Sequence, residues 1–227
     1  MIVATDMSLT LGNQTILDQV SFKVARGESV GLVGPNGSGK TSILRCLLGL
    51  VPFAGRAAIH GHDVVRDPLA ARTMVSYVPQ RAAFGDASAA EVLIFVAQVR
   101  RIDRACIAPT LRALGLEEHA NTRVRTFSGG MQQRLSLAVA LLADTPVLLL
   151  DEPSASLDYD GQETFFEIVA RLRKSGHTLL LASHRPEEVD TLTDRVLYLD
   201  RGRIVSAGAS AARRAVVIPM SARGERR

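Results

Sequence analysis

The sequence predicts an α/β fold: a parallel sheet covered on both faces, preceded by antiparallel strands and interrupted by an inserted helical subdomain. Three patterns predict it. Helical and strand segments alternate from residue 131 onward, apolar and polar residues alternate in pieces of residues 1–33, and helical periodicity dominates residues 88–125. Alternating helices and strands are typical of a parallel sheet, because parallel strands need long crossover connections.

The first elements are short strands separated by turns. ILDQVSFKV alternates between apolar and polar residues, and Gly12 and Gly27 bound the segment, as in antiparallel strands. SVGLV (29–33) predicts a buried strand, and residues 41–48 predict the helix that follows it. After that helix, AGRAAIHGHDV indicates strand and turn, and MVSYVPQ another strand ending at Pro79.

The remaining elements follow the helical insert, in which EVLIFVAQVRR and IAPTLRALGL have helical periodicity. The predicted order is then helix MQQRLSLAVALLA, strand VLLLD, helix GQETFFEIVARLRKSG, strand TLLLAS, helix PEEVDTLT and strand RVLYLD. We therefore assign residues 1–208 to one domain with the insert at about residues 85–128, and residues 209–227 to a basic tail.

Composition predicts a chain that does not span a membrane. Hydrophobic residues make up 47% of it, but the longest apolar stretch, LSLAVALLADTPVLLL, is broken by Asp144 and Pro146, whereas a membrane helix needs roughly 18 apolar residues. The N-terminus lacks the basic and apolar regions of a secretion signal, and only Cys46 and Cys106 are present. We expect a reducing, cytoplasmic setting.

The positive charge is concentrated at the C-terminus. Residues 213–227 hold five arginines and one glutamate, which equals the whole net charge of +4, so residues 1–212 balance at 22 basic and 22 acidic side chains. A nucleic-acid binder would show a general basic face, so we expect no nucleic acid partner. The tail is interpreted as a solvated, disordered end, with contact to anionic lipid or to a partner as alternatives.

GPNGSGKTS follows the predicted strand at residues 29–33 and precedes the first helix. In such a loop, glycines let backbone N–H groups surround phosphates, lysine reaches the β- and γ-phosphates, and a hydroxyl binds Mg²⁺. A glycine-rich turn that binds nothing is the alternative, and many classes of nucleotide-binding protein share the loop. The candidate phosphate-binding residues are Gly34, Pro35, Asn36, Gly37, Ser38, Gly39, Lys40, Thr41 and Ser42.

Two acidic residues end the predicted strand VLLLDE (147–152). Strand alternation aims Asp151 and Glu152 in different directions, so one can hold Mg²⁺ while the other faces the attacking water. The pair could instead begin a turn with Pro153. Ligands of an open α/β sheet bind at the carboxyl ends of its strands, which favours the functional interpretation.

FSGGMQQRL (127–135) opens a helix at Ser128, Gly129 and Gly130. A hydroxyl and unpaired N–H groups at a helix start bind anions. This second phosphate-binding device cannot easily reach the first in the same chain, so two half-sites suggest two chains.

These motifs resemble those of the ATP-binding-cassette (ABC) ATPases. FSGGMQQRL is similar to the signature motif of that family. Gln80 closes YVPQ like the Q-loop, Ser156-Leu157-Asp158 resembles the D-loop, and His184 after LLLAS resembles the H-switch. Six motifs occur in family order over residues 1–208. The resemblance implies a P-loop NTPase (RecA-like) core with an N-terminal antiparallel β subdomain and an inserted α-helical subdomain.

The resemblance implies a head-to-tail dimer, either a homodimer or a pseudo-dimer with another ATPase subunit, that closes over two ATP molecules. Glu152 would polarise water and His184 would contact the γ-phosphate. Mg²⁺ would be arranged by Thr41, Gln80 and Asp151. The opposite face of the nucleotide would be bound by the partner chain through Ser128, Gly129, Gly130, Gln132 and Asp158.

Two positions depart from the family pattern. Leu11 occupies the place of an aromatic residue that usually stacks on adenine, so we expect weak or merely apolar base recognition. Met131 replaces the glutamine that usually ends the signature, a change found in exporter-like relatives.

The resemblance thus predicts the ATPase subunit of an exporter, peripheral at the cytoplasmic face of the cell membrane, with separate transmembrane subunits. A transmembrane partner is expected to dock beside Gln80–Phe84, with Phe84 as an apolar anchor. A soluble ATPase acting on a protein assembly scaffold is the alternative. A nucleic-acid-repair ATPase is disfavoured because no long coiled coil or zinc-type cysteines separate the motifs, and His60 with His62 is interpreted as a strand end rather than a metal site.

Overall fold

The computed structural model describes residues 1–210, so nearly all of the predicted basic tail lies outside the described residues. The strands are β1 (Ile2–Leu11), β2 (Gln14–Val24), β3 (Ser29–Val33), β4 (Ala54–Ile59), β5 (His62–Asp63), β6 (Val75–Val78), β7 (Val147–Asp151), β8 (Thr178–Ala182), β9 (Arg195–Asp200) and β10 (Arg203–Ala209). The α-helices are α1 (Lys40–Leu47), α2 (Pro68–Thr73), α3 (Ala89–Arg100), α4 (Ile107–Ala113), α5 (Gly129–Ala143), α6 (Tyr159–Lys174) and α7 (Pro186–Leu192).

These strands form two sheets, and the predicted fold class is confirmed. One is antiparallel, in the order β2-β1-β4-β5, and the other follows the order β10-β9-β3-β8-β7-β6. The second sheet is parallel except for its edge strand β10, which pairs antiparallel with β9. Neither β10 nor the short helix α2 is predicted from the sequence, since the exposed RIVSAGA shows no clear alternation and α2 has only six residues.

Strand β7 explains how the parallel sheet is covered on both faces. All five of its residues are buried. Val147 and Leu149 join a core cluster with α1 and the antiparallel sheet, whereas Leu148 and Leu150 join a cluster with the helical insert, α5 and α6. Successive side chains of a strand point to opposite faces, so a strand with two packed faces must be apolar throughout.

The helical insert lies between β6 and β7 and begins at a well-defined helix cap. The Ser88 hydroxyl accepts a hydrogen bond from the Glu91 N–H, and the Glu91 carboxylate accepts one from the Ser88 N–H. This reciprocal pair satisfies two N–H groups that the first turn of α3 leaves without helical partners. Short 3₁₀ turns at Arg104–Cys106, Glu117–His119 and Val124–Thr126 connect α3, α4 and α5.

Candidate nucleotide site

The loop between β3 and α1 has a backbone that requires glycine at two positions. A Cβ atom on Gly34 would lie 2.1 Å from the Leu199 carbonyl oxygen, so no larger residue fits against β9. Gly39 has a φ of +108° immediately before α1, a conformation that L side chains rarely adopt. The two glycines therefore let the loop curve tightly into the start of α1, where free N–H groups favour an anion.

Lys40 lies at the first turn of α1 and folds back over the loop. Its buried ammonium donates hydrogen bonds to the carbonyl oxygens of Gly34 at 2.8 Å and Pro35 at 3.2 Å. The same nitrogen lies 4.0 Å from Oε1 of Glu152. A buried cation is thus held at the loop by oxygen atoms, in reach of any phosphate bound there.

A cavity of about 480 Å³ opens beside this loop. Ser38 contributes a buried hydroxyl to it, and within residues 1–210 that hydroxyl is one of three buried side-chain groups with an atom that lacks a hydrogen-bond partner. A buried hydroxyl without a partner is costly unless a ligand satisfies it, and a phosphate oxygen would do so. The cavity is lined by Gln14, Ile16, Asn36, Gly37, Ser38, Gly39, Lys40, Thr41, Ser42, Gln80 and Glu152.

Asp151 ends β7 with a buried carboxylate that two hydroxyl groups orient. Thr41 donates to Oδ1 at 2.9 Å, and Tyr77 donates to Oδ2 at 3.0 Å. Burial raises the pKa of Asp151, while these two hydrogen bonds oppose that rise by stabilising the carboxylate. Mg²⁺ prefers oxygen ligands of this kind, so the paired Thr41 hydroxyl and Asp151 carboxylate fit a magnesium ion.

Glu152 turns its carboxylate away from Asp151 and toward the end of β8. Its φ of +48° is unusual for a residue with a side chain, and its N–H remains bonded to the Ala182 carbonyl at 2.8 Å. Oε2 lies 2.8 Å from Nδ1 of His184, whose side chain is 53% exposed. A buried carboxylate beside an exposed imidazole at the cavity wall is suited to accept a proton from water.

A network behind His184 holds the segment that carries it. The Ser183 hydroxyl donates to the buried Glu188 carboxylate at 2.5 Å and accepts from the Arg185 N–H at 3.1 Å. Arg185 in turn donates to the Ser154 hydroxyl at 3.0 Å, which ties this segment to the turn after Glu152. Burial raises the pKa of Glu188. Sequence reasoning missed these residues, although SHRPEE places an acid four residues after His184.

The predicted signature residues form a separate group outside the cavity lining. Ser128 caps α5, its hydroxyl accepting the Met131 N–H at 3.2 Å, and Asp158 caps α6 by accepting the Gly161 N–H at 3.0 Å. A Cβ on Gly130 would lie 3.2 Å from the Ser156 carbonyl oxygen, so the start of α5 packs closely on the turn that precedes α6. Ser128 and Gly129 are exposed, and Gln132 donates to the Phe127 carbonyl at 3.3 Å.

The structure therefore brings together the loop, Gln80 and Glu152 around one cavity, with Asp151 behind Thr41 and His184 beside Glu152. Leu11 does not belong to the cavity lining, and its side chain at the end of β1 is 53% exposed. Ile16 and Gln14 line the cavity instead. Sequence reasoning missed Ile16 and Tyr77 because nothing local distinguishes them from ordinary strand residues.

A glycine-rich loop before a helix, a carboxylate oriented by two hydroxyl groups and a second carboxylate beside a histidine are typical of a P-loop nucleotide-binding domain. A family model described as "ABC transporter" matches residues 17–155, more than half of the 227 residues. The chain therefore belongs to the ABC transporter ATP-binding family, and the ATP-binding subunits of this family are ATPases.

Similar proteins include ATP-binding proteins named for resistance and export. The chain is 37% identical over 205 residues to "Doxorubicin resistance ATP-binding protein DrrA" of Mycobacterium tuberculosis, covering 88% of this chain and 62% of the relative. It is 39% identical over 207 residues to "Nod factor export ATP-binding protein I" of Paraburkholderia xenovorans, covering 88% of this chain and 68% of the relative. The chain thus spans less than two thirds of the DrrA relative.

A solved structure described as "Structure of ATP binding subunit of ABC transporter" superimposes with a TM-score of 0.87 at 26% identity, covering 95% of this chain and 92% of that one. Within residues 1–210, none of the helices combines the length and apolar content needed to cross a membrane.

Proposed function

We propose that this chain binds and hydrolyses ATP as the peripheral subunit of an exporter, at the cytoplasmic face of the membrane, and drives separate transmembrane subunits. The observation that carries the proposal is the division of the site. One chain holds a complete phosphate loop around a cavity and, apart from it, an exposed helix start at Ser128 suited to a phosphate. Two chains arranged head to tail would complete two sites.

ATP binding is assigned to the loop and the first turn of α1. The loop N–H groups and the unpartnered Ser38 hydroxyl would bind phosphate oxygens, and the Lys40 ammonium would exchange its carbonyl partners for the β- and γ-phosphates. Thr41, Asp151 and Gln80 would hold Mg²⁺. When bound, Mg²⁺ neutralises part of the phosphate charge.

Hydrolysis is assigned to Glu152 and His184. The Glu152 carboxylate would take a proton from a water molecule whose oxygen attacks the γ-phosphorus, while the bond to the β-γ bridging oxygen breaks and ADP leaves. His184, 2.8 Å from Glu152, would orient that carboxylate and contact the γ-phosphate. Most of the rate enhancement would come from positioning and charge stabilisation, because phosphoryl transfer needs little covalent chemistry from the protein.

An apolar groove of about 310 Å³ on the edge of the parallel sheet supports the proposal that the chain has a membrane partner. Phe95 and Val99 of α3 line it although they are 65% and 63% exposed, and exposed apolar residues grouped in this way mark interaction sites. The other lining residues are Leu48, Arg72, Val75, Ser76, Tyr77, Val96, Arg100, Val139 and Ala143. We propose that a cytoplasmic segment of the transmembrane subunit docks here.

Phe84, expected from the sequence to anchor the partner, is half-buried against the core cluster of the helical insert and is not part of the groove lining. The docking position beside Gln80–Phe84 stays a prediction. Cross-links from the partner to Phe95 or Val99 would favour docking in the groove. Cross-links to Phe84 would favour the docking position predicted from the sequence.

We expect Val99→Glu to abolish assembly with the transmembrane subunit while leaving ATP binding by the isolated chain unchanged. A charge in the groove must be desolvated when an apolar segment docks, which is costly without a partner charge. The matched control is Val205→Glu, because Val205 is 62% exposed on β10 and lies outside the groove. Affinity capture from detergent-solubilised membranes measures assembly. Equal recovery of the membrane subunit by both variants would contradict docking in the groove.

The same capture separates the exporter from a soluble assembly ATPase. An exporter subunit should retain an integral membrane protein from the solubilised membranes. Retention of a soluble scaffold protein alone, with no membrane protein in a complex of fixed stoichiometry, would favour the alternative.

Adenine recognition provides another prediction. We expect Ile16→Ala to weaken ATP binding by about threefold to tenfold. Ile16 is only half-buried at the cavity wall, so the change removes the equivalent of between one and two buried methylene groups, each of which contributes about 0.8 kcal/mol. Leu11→Ala should have a smaller effect, and ATP should be preferred over GTP only weakly, since no aromatic side chain lines the cavity among residues 1–210. Titration with a fluorescent ATP analogue, with GTP as competitor, measures both. If Leu11→Ala weakened ATP binding more than Ile16→Ala does, Leu11 would be the adenine contact.

A further inference from the structure

Tyr77 connects the docking groove with the magnesium carboxylate. Tyr77 is one of the residues that line the groove, and its hydroxyl donates a hydrogen bond to Oδ2 of Asp151 at 3.0 Å. We propose that Tyr77 is a positioning residue through which a segment seated in the groove changes the orientation of Asp151, and so the affinity for Mg²⁺ and nucleotide. The proposal rests on the proposed function and adds a residue that couples the docking groove to the nucleotide site.

Strand register explains why this contact is direct. Tyr77 of β6 lies opposite Leu149 of β7, and Asp151 is two residues further along β7. Residues two apart on a strand share one face, so Tyr77 and Asp151 are diagonal neighbours on that face. Strand β6 is the edge of the parallel sheet, and the groove lies along this edge. A side chain at this position can therefore contact the groove and the metal carboxylate together.

The contact is also one of few that hold the carboxylate. Asp151 is buried, and each of its two oxygens has one hydroxyl partner, Thr41 on Oδ1 and Tyr77 on Oδ2. When the Thr41 hydroxyl binds Mg²⁺, Tyr77 remains as the side chain that orients Oδ2. Tyrosine has a rigid ring with two rotatable bonds, so a displacement of Tyr77 at the groove moves its hydroxyl.

The composition of the chain allows a direct test, because it contains no tryptophan. Phe95→Trp places a single tryptophan in the groove wall at an exposed aromatic position. A non-hydrolysable ATP analogue is added, Mg²⁺ is titrated, and tryptophan emission is recorded with Tyr77 present and with Tyr77→Phe. Tyr198→Phe is the matched control, since Tyr198 is exposed on β9 and outside the groove.

We expect Mg²⁺ to change the emission in the Phe95→Trp protein and in its Tyr198→Phe control. Tyr77→Phe should remove at least half of that change and raise the Mg²⁺ concentration for half-saturation by about tenfold to 100-fold, the scale of one hydrogen bond to a charged group. Equal emission changes and equal Mg²⁺ requirements with and without the hydroxyl would overturn the proposal, as would an emission that never responds.

Calorimetric binding of the same analogue separates this proposal from the proposed function. Normal binding without any dependence on Tyr77 overturns only the role of Tyr77, whereas no binding overturns both. If Tyr77→Phe fails to fold, the variant Tyr159→Phe/Tyr198→Phe leaves Tyr77 as the sole tyrosine in a chain without tryptophan. Its fluorescence should then change with Mg²⁺ and analogue, and less so after Phe95→Ala. A Tyr77 fluorescence that changes neither with Mg²⁺ and analogue nor after Phe95→Ala would overturn the proposal.

Discussion

Glu152→Gln should bind ATP, lose at least about 100-fold in turnover and accumulate as an ATP-bound dimer. The amide keeps the size of the side chain and the contact to His184, whose Nδ1 lies 2.8 Å from Oε2 in the unmodified chain. It cannot take a proton from water. General base catalysis contributes typically 10²–10⁴-fold. If ATP holds two chains together until it is hydrolysed, blocked hydrolysis should leave the dimer intact.

Size-exclusion chromatography with and without ATP measures the dimer, and phosphate release measures turnover. Glu163→Gln is a suitable control, because Glu163 is an exposed acid on α6 outside the cavity. The shared-site model would fall if Glu152→Gln stayed monomeric at saturating ATP while the unmodified chain hydrolysed ATP as a monomer. The cavity would then serve a single-chain ATPase.

Lys40→Ala should weaken ATP binding by about 10-fold to 100-fold and leave the chain monomeric with ATP. The buried ammonium lies at the loop, 2.8 Å from the Gly34 carbonyl oxygen, and hydrogen bonds to charged groups contribute about 1.5–3 kcal/mol. Truncation also removes the cation 4.0 Å from the Glu152 carboxylate, so thermal unfolding should be measured in parallel. Unchanged ATP affinity in a folded Lys40→Ala protein would refute the assigned role.

Ser128→Arg is the complementary variant, because it should bind ATP normally and yet fail to dimerise. Ser128 is exposed at the start of α5 and is not part of the cavity lining, so bulk and charge there affect a second chain rather than the bound nucleotide. Its cap on the Met131 N–H is lost as well, which should cost about 1 kcal/mol of stability. A Ser128→Arg dimer in ATP would argue against head-to-tail pairing.

The sequence by itself determined the elements whose signals are local. The strand before the phosphate loop, the loop and Lys40 are contiguous, so their spacing alone predicts their geometry. The same holds for the apolar residues of β7 that precede Asp151 and Glu152, and for the helix start at Ser128. The order of these motifs indicated the family, and the family model then confirmed it.

Only the tertiary structure decided which distant side chains meet. The order β10-β9-β3-β8-β7-β6 makes β6 the neighbour of β7, and their register brings Tyr77 to Asp151 across 74 positions of sequence. The cavity is bounded by Ile16 rather than Leu11, because the start of β2 lies against the loop: a Cβ on Gly39 would lie 3.2 Å from the Ile16 carbonyl oxygen. Periodicity reports which face of an element is apolar, but not which element covers that face. Pairing across strands and packing between layers settle that, and both depend on the whole chain.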